Sequence, residues 1–120
     1  MDIRALTETY AVSPQIDLVD FAAIKAAGYV TVINNRPDAE IPEAIHNDTM
    51  RQQAEALGLN FVTNPVIGGA ITLENIRTQA DVLAQAQGPV FAYCASGNRS
   101  SIVWALAHAG KIPTDQLIAT

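Results

Sequence analysis

With 120 residues, of which 49% are hydrophobic and 16% charged, the chain is expected to form one globular domain over residues 1–120, burying roughly two thirds of its surface on folding. A formal net charge of -5 without any Lys/Arg cluster argues against a nucleic-acid partner, and no unbroken apolar run of about 18 residues is available to span a membrane. Met1-Asp2-Ile3-Arg4 lacks the apolar stretch of a secretory signal, and one cysteine with only His46 and His108 beside it supplies neither a disulfide nor a zinc site, so a cytoplasmic protein with no cofactor and no metal is expected.

In chain order, Ile3-Arg4-Ala5-Leu6 and Tyr10-Ala11-Val12 read as two short strands, with Pro14 interrupting. Asp17 is placed to cap a helix through Ala27 that Gly28 ends, with Leu18, Phe21, Ala22 and the stem of Lys25 on one buried face. The β-branched run Val30-Thr31-Val32-Ile33 predicts a buried strand leading into the polar loop Asn34-Asn35-Arg36-Pro37-Asp38. A helix over 48–57 stops at Gly58, and Leu59-Asn60-Phe61-Val62 gives another strand before the Pro65 and Gly68-Gly69 loop. Thr72 caps a helix to about Ala86, with Glu74 near its positive end. Gly88-Pro89 breaks that helix, Val90-Phe91-Ala92-Tyr93 is the last strand, and a helix over 100–109 follows. Strands alternating with helices imply right-handed crossovers and a mainly parallel sheet covered on both faces. Ligands of such sheets bind beyond the carboxyl ends of the strands, where Cys94, Arg36 and the Gly68-Gly69 loop fall.

Cys94-Ala95-Ser96-Gly97-Asn98-Arg99-Ser100 is the segment that carries chemistry. A loop wrapped in front of a helix turns backbone N–H groups inward and adds the positive end of the helix dipole, which favours a thiolate over a thiol. Gly97 permits a backbone conformation that a side chain would obstruct, and Arg99 adds a fixed charge with a planar fork of donors for an oxyanion. Ser100 is read as a donor to the thiolate or as the cap of the helix that follows. Ala95, Ser96, Gly97 and Asn98 supply the anion-binding backbone. The bland alternative is a small buried cysteine beside a surface arginine.

These residues resemble the rhodanese loop Cys-x-x-Gly-x-Arg and, closely, the protein tyrosine phosphatase loop His-Cys-x5-Arg-Ser/Thr. Together with Ala11-Val12-Ser13-Pro14-Gln15 and Thr31-Val32-Ile33-Asn34-Asn35-Arg36-Pro37-Asp38, they resemble throughout the phosphatase-like domain of beta-lactamase-hydrolase-like proteins, a bacterial family also described as sulfurtransferases. The resemblance implies an α/β fold of the protein tyrosine phosphatase (dual-specificity-phosphatase-like) type, chemistry at Cys94 and anion binding at Arg99. Three departures from the phosphatase pattern stand out. Only four residues separate Cys94 from Arg99, Tyr93 stands where phosphatases place His, and Asn64-Pro65-Val66-Ile67-Gly68-Gly69 holds no general acid. Asp38 is the candidate substitute acid. Arg36 either steers an anion or pairs with Asp38 or Glu40. His46 is read as a surface residue, His108 as a cation suiting a helix C-terminus, Trp104 as a packing residue, and Glu40, Glu43 and Asp48 as a solvated face.

The expected function is therefore sulfur transfer. Cys94 takes the sulfane sulfur of a small-molecule donor as a persulfide and passes it to an acceptor thiol, a reaction that needs little protonation of its leaving group. The alternative is phosphatase chemistry on a phosphate ester through a Cys94 thiophosphate, and a lesser one is a non-catalytic anion-binding module. Oligomeric state is left open.

Overall fold

The computed structural model describes residues 2–67 and 70–109. These residues form five strands and four α-helices, which alternate after an opening strand pair: β1 (Arg4–Ala5), β2 (Tyr10–Ser13), α1 (Asp20–Ala26), β3 (Thr31–Asn34), α2 (Asn47–Ala56), β4 (Asn60–Thr63), α3 (Leu73–Gln85), β5 (Val90–Tyr93) and α4 (Asn98–Ala109). The sheet order is β1-β2-β5-β3-β4, with β1 antiparallel to β2 and every other pairing parallel. In register, Tyr93 lies opposite both Ser13 and Asn34, and Asn34 opposite Thr63, so the carboxyl ends of four strands are level. β5 lies between β2 and β3, which puts the following residue, Cys94, at the middle of that edge.

Alternation along the strands feeds two apolar layers, as period-two geometry requires. Ala11, Val32, Phe91 and Tyr93 face Phe21 and Ile24 of α1 and Met50 and Ala54 of α2. Tyr10, Val12, Ile33, Val90 and Ala92 face the other way, onto Val82 and Leu83 of α3 and Trp104 of α4. Tyr10 stacks on Trp104, ring centroids 5.6 Å apart, which places Trp104 in the packing role expected of it. No helix among the described residues is long and apolar enough to cross a membrane.

Several boundaries differ from expectation. Asp17 does not cap α1: a turn from Asp17 to Asp20 precedes the helix, the Asp17 N–H donates to the Asp20 carboxylate at 2.8 Å, and Val19 holds the cap position without a side-chain bond. The buried face of α1 is Phe21 and Ile24, while Ala22 and Lys25 are exposed. Two single 3-10 turns, Asp38–Glu40 and Glu43–Ile45, occupy what reads as loop, each started by a proline whose fixed φ suits a first turn. α4 starts at Asn98 rather than Ser100, so Arg99 stands in its first turn and Ser100 is not its cap. Thr72 does cap α3, accepting from the Asn75 N–H at 3.1 Å while Asn75 Oδ1 accepts from the Thr72 N–H at 3.1 Å. Gly68-Gly69 and the side chain of His108 fall outside the described residues.

Candidate active site

The site grows from the end of β5. The Cys94 N–H still donates to Ser13 O of β2 at 3.3 Å, and Tyr93 O accepts from the Asn35 N–H at 2.9 Å, so the sheet's own ladder sets the cysteine's position. Beyond it, the loop's carbonyl oxygens are taken by surrounding groups: Ala95 O by the Gln15 N–H at 3.3 Å, Ser96 O by the Arg4 guanidinium, and Gly97 O by the N–H and hydroxyl of Ser101 at 3.0 and 2.9 Å. The Gly97 N–H donates to Cys94 Sγ at 3.1 Å. Gly97 has φ +91°, a backbone conformation that calls for glycine.

The Cys94 side chain is buried. Burial alone would hold the proton on the sulfur, yet the N–H groups of Ser100, Ser96 and Gly97, with the Ser100 side chain within reach, bring the thiol below its ordinary value. The side chains of Ala95, Ser96 and Asn98 are exposed, and these residues serve the loop through their backbone. The Ser96 hydroxyl accepts from the Asn98 N–H at 3.3 Å where α4 begins.

Arg99 lies beside the thiol and is gripped from the far side. Its Nη2 and Nη1 donate to the two oxygens of Glu40 at 2.7 and 2.8 Å, and Nη1 also donates to Val66 O at 2.7 Å. Glu40's bonds to Arg99, more than those to Arg36, hold its carboxyl below the usual range, and Glu40 in turn raises Arg99. Arg36 reaches the same carboxylate through Nε at 3.4 Å and Gln15 Oε1 through Nη1 at 3.2 Å. Of the two readings of Arg36, the structure shows the ion pair, and with Glu40 rather than Asp38. Glu40 is exposed, as are Glu43 and Asp48, and it alone of the three is held by two arginines.

Asp38 is committed elsewhere. Its Oδ1 accepts from the Asn47 N–H at 2.7 Å, where α2 begins, and Oδ2 lies 4.0 Å from His46 Nδ1. His46 in turn bonds Ile41 O at 3.0 Å, which gives it a place in the loop rather than a free surface position. Ser100 is fully buried, and its hydroxyl is bonded to Asn35 Oδ1 at 2.9 Å. Tyr93 Oη, buried, has no hydrogen-bond partner among the described residues. No cluster of three metal-donor side chains occurs among those residues.

Cys94, Arg99, Ser100 and the 95–98 backbone are thus brought together, with Arg36 at the rim through Glu40. Sequence reasoning missed Arg4, Gln15, Asn35 and Gln79, and the hold of Glu40 on Arg99. Gln15 follows β2, which lies beside β5, and Arg4 reaches the cysteine loop from the edge strand β1, a placement that only the sheet order reveals.

Residues 2–111 match the family described as the phosphatase-like domain of beta-lactamase hydrolase-like proteins. A beta-lactamase hydrolase-like protein of Agrobacterium fabrum is 35% identical over 104 residues, covering 87% of this chain and 24% of that protein, so the chain spans about a quarter of the curated relative's length. Among solved structures, a candidate phosphatase from Neisseria meningitidis superposes with a TM-score of 0.79 at 32% identity, covering 96% of this chain and 82% of that one. P. aeruginosa TpbA, solved with phosphotyrosine, shares the fold, with a TM-score of 0.67 at 14% identity over 97% of this chain and 68% of its own. The fold is that of protein tyrosine phosphatase-like enzymes, and the chain belongs to the phosphatase-like domain family of beta-lactamase hydrolase-like proteins.

Proposed function

We propose that the chain hydrolyses phosphate monoesters of aryl alcohols through Cys94. The observation that carries this reading is the convergence of backbone N–H groups on a buried Cys94 sulfur with the Arg99 guanidinium beside it. A thiolate held this way attacks phosphorus, the P–O bond to the alcohol breaks, and the phosphoryl group rests on sulfur. Water then attacks the same phosphorus and the P–S bond breaks, returning the thiolate. Membership of a phosphatase-like family supports the reading, as does the phosphotyrosine held by TpbA. Acid catalysis is the weak part of the site. Glu40 is kept ionised by Arg99, and Asp38 accepts from the Asn47 N–H, so neither stands ready to protonate a leaving alkoxide. Phenolate leaves without such help, which narrows the substrate to aryl esters.

A second reading, sulfur transfer through a Cys94 persulfide, is favoured by the tightness of the loop. Four residues lie between Cys94 and Arg99, and the Gly97 N–H already closes on Sγ at 3.1 Å. A ring of that size fits one terminal sulfur atom more readily than the three equatorial oxygens of a phosphoryl group. Small-molecule substrates and a reducing compartment that keeps Cys94 free suit both readings. Steady-state phosphate release from an aryl phosphate tests the proposal. Wild-type protein is expected to turn over, and Cys94→Ser to fall to the background rate. Equal release by the two proteins would reject a Cys94 nucleophile, and persulfide formation from thiosulfate without any phosphate release would transfer the case to the second reading.

A further inference from the structure

The loop around the sulfur is built from peptide units held at their carbonyl ends. No peptide bond among the described residues is cis, and a planar trans peptide sends its C=O and its N–H in opposite directions. Ala95 O accepts from the Gln15 N–H at 3.3 Å, and the N–H of the same peptide unit, that of Ser96, serves the sulfur. Ser96 O accepts from the Arg4 guanidinium, and the N–H of that unit, that of Gly97, donates to Cys94 Sγ at 3.1 Å. Gly97 O is taken by the N–H and hydroxyl of Ser101. Of these three carbonyls, Ser96 O is the one held by a side chain from outside the loop and its helix. The residue that holds it stands on the edge strand β1, 92 positions away.

The unit that Arg4 holds is also free to turn over. A flip of the Ser96–Gly97 peptide carries φ of Gly97 from +91° to the negative side, which a glycine adopts about as readily. The flip withdraws the Gly97 N–H and sets the Ser96 carbonyl oxygen toward the sulfur, so a donor is replaced by an acceptor. Burial raises the Cys94 thiol, and the donors that outweigh it are the Ser100 N–H and hydroxyl and the N–H groups of Ser96 and Gly97, so the loss of one of them matters. We propose that Arg4 is a positioning residue: by holding the Ser96 carbonyl it keeps the Ser96–Gly97 peptide turned with its N–H on Cys94 Sγ. A guanidinium on a carbonyl is a charge-assisted donor, and it polarises the peptide so that the opposite N–H becomes the better donor. Arg99 from α4, gripped by Glu40, and Tyr10 from β2 act on the sulfur directly, whereas Arg4 acts through the backbone.

The inference rests on Cys94 as the reacting thiolate, but its test reads the loop and the thiol without any substrate, so it succeeds or fails apart from phosphate release. The chain has one cysteine, so the ultraviolet absorbance of the thiolate against pH, with Cys94→Ser as blank, follows this group alone. Nuclear magnetic resonance on protein carrying isotope-labelled glycine follows the Gly97 amide proton through the same titration. Its downfield movement as the thiolate forms reports the N–H to sulfur bond. Arg4 is exposed and its strand is two residues long, so Arg4→Met leaves the core intact. Arg4→Met is expected to raise the thiolate midpoint by roughly one pH unit, the size of one hydrogen bond to an ion, and to remove most of the Gly97 movement. An unchanged midpoint overturns the proposal. So does a raised midpoint with the Gly97 movement intact, because Arg4 then acts by its charge alone.

Discussion

Glu40 is the residue that holds the Arg99 guanidinium. Its carboxylate takes both terminal nitrogens of Arg99 in a two-pronged pair. The pair is partly exposed, the side chains 16% and 32% accessible, so its contribution to stability is small, about 0.5 kcal/mol after solvent screening. Its value lies in aiming the guanidinium. Glu40→Gln is expected to lower kcat/KM for an aryl phosphate roughly tenfold, with a change in melting temperature of only a degree or two. Steady-state kinetics beside thermal unfolding checks this, and an unchanged kcat/KM would make Glu40 a bystander. The sign with pH follows from its depressed value. The contact is fully present above the ordinary carboxylate range and is lost as pH falls through the lowered value, so the site tolerates mild acid. Cys94, Gly97, Arg99 and Ser100 are legible in the chain because one short segment holds all four. Glu40 is not, since 59 residues separate it from Arg99 and acidic neighbours such as Glu43 and Asp48 make it read as solvated.

Among the elements, α3 is the one that links local sequence signal to the site. Its cap at Thr72 is legible in the sequence; the structure completes it with Asn75, which also donates to Pro65 O and Asn64 Oδ1, both at 2.9 Å, tying the helix start to the loop that holds Arg99 through Val66 O. Thr72→Ala is expected to cost about 1 kcal/mol of stability, read from urea unfolding, through loss of the cap. A loss well below that would show that the N–H groups at the start of α3 find other partners. The strands were the most readable elements. β5 forms over the residues that its apolar run predicts, β2 extends one residue beyond its run, and β3 and β4 are shifted one residue toward the C-terminus, to the level where Ser13, Asn34, Thr63 and Tyr93 align. The starts of α1 and α4 were not readable. Asp17 offers a cap in sequence, but a turn intervenes, and α4 gains its first residues from the loop's own bonds, Ser101 N–H to Gly97 O among them. Gln79 carries no sequence signal, for a glutamine on a helix reads as surface until the sheet supplies Asn35 and Tyr10 as partners.

At the scale of the whole molecule, an acidic chain gathers cations at one edge. Three of its seven Lys and Arg residues, Arg4, Arg36 and Arg99, meet around the end of β5, although they come from three separate parts of the chain. A net charge of -5 therefore says little about the local field an anionic substrate meets. The sheet order produces this. β5 is inserted between β2 and β3, so the segments leaving β2 and β3 flank the cysteine, and α4 begins above it. The account stands on what Cys94 carries during turnover. The most direct measurement is intact-protein mass spectrometry on samples quenched in acid during reaction with an aryl phosphate, in parallel with samples exposed to thiosulfate, and with Cys94→Ser as control. The account predicts a phosphoryl adduct on the wild-type protein, absent from the mutant. A single added sulfur atom from thiosulfate, with no phosphoryl adduct from the ester, would contradict it and assign the same thiolate to sulfur transfer.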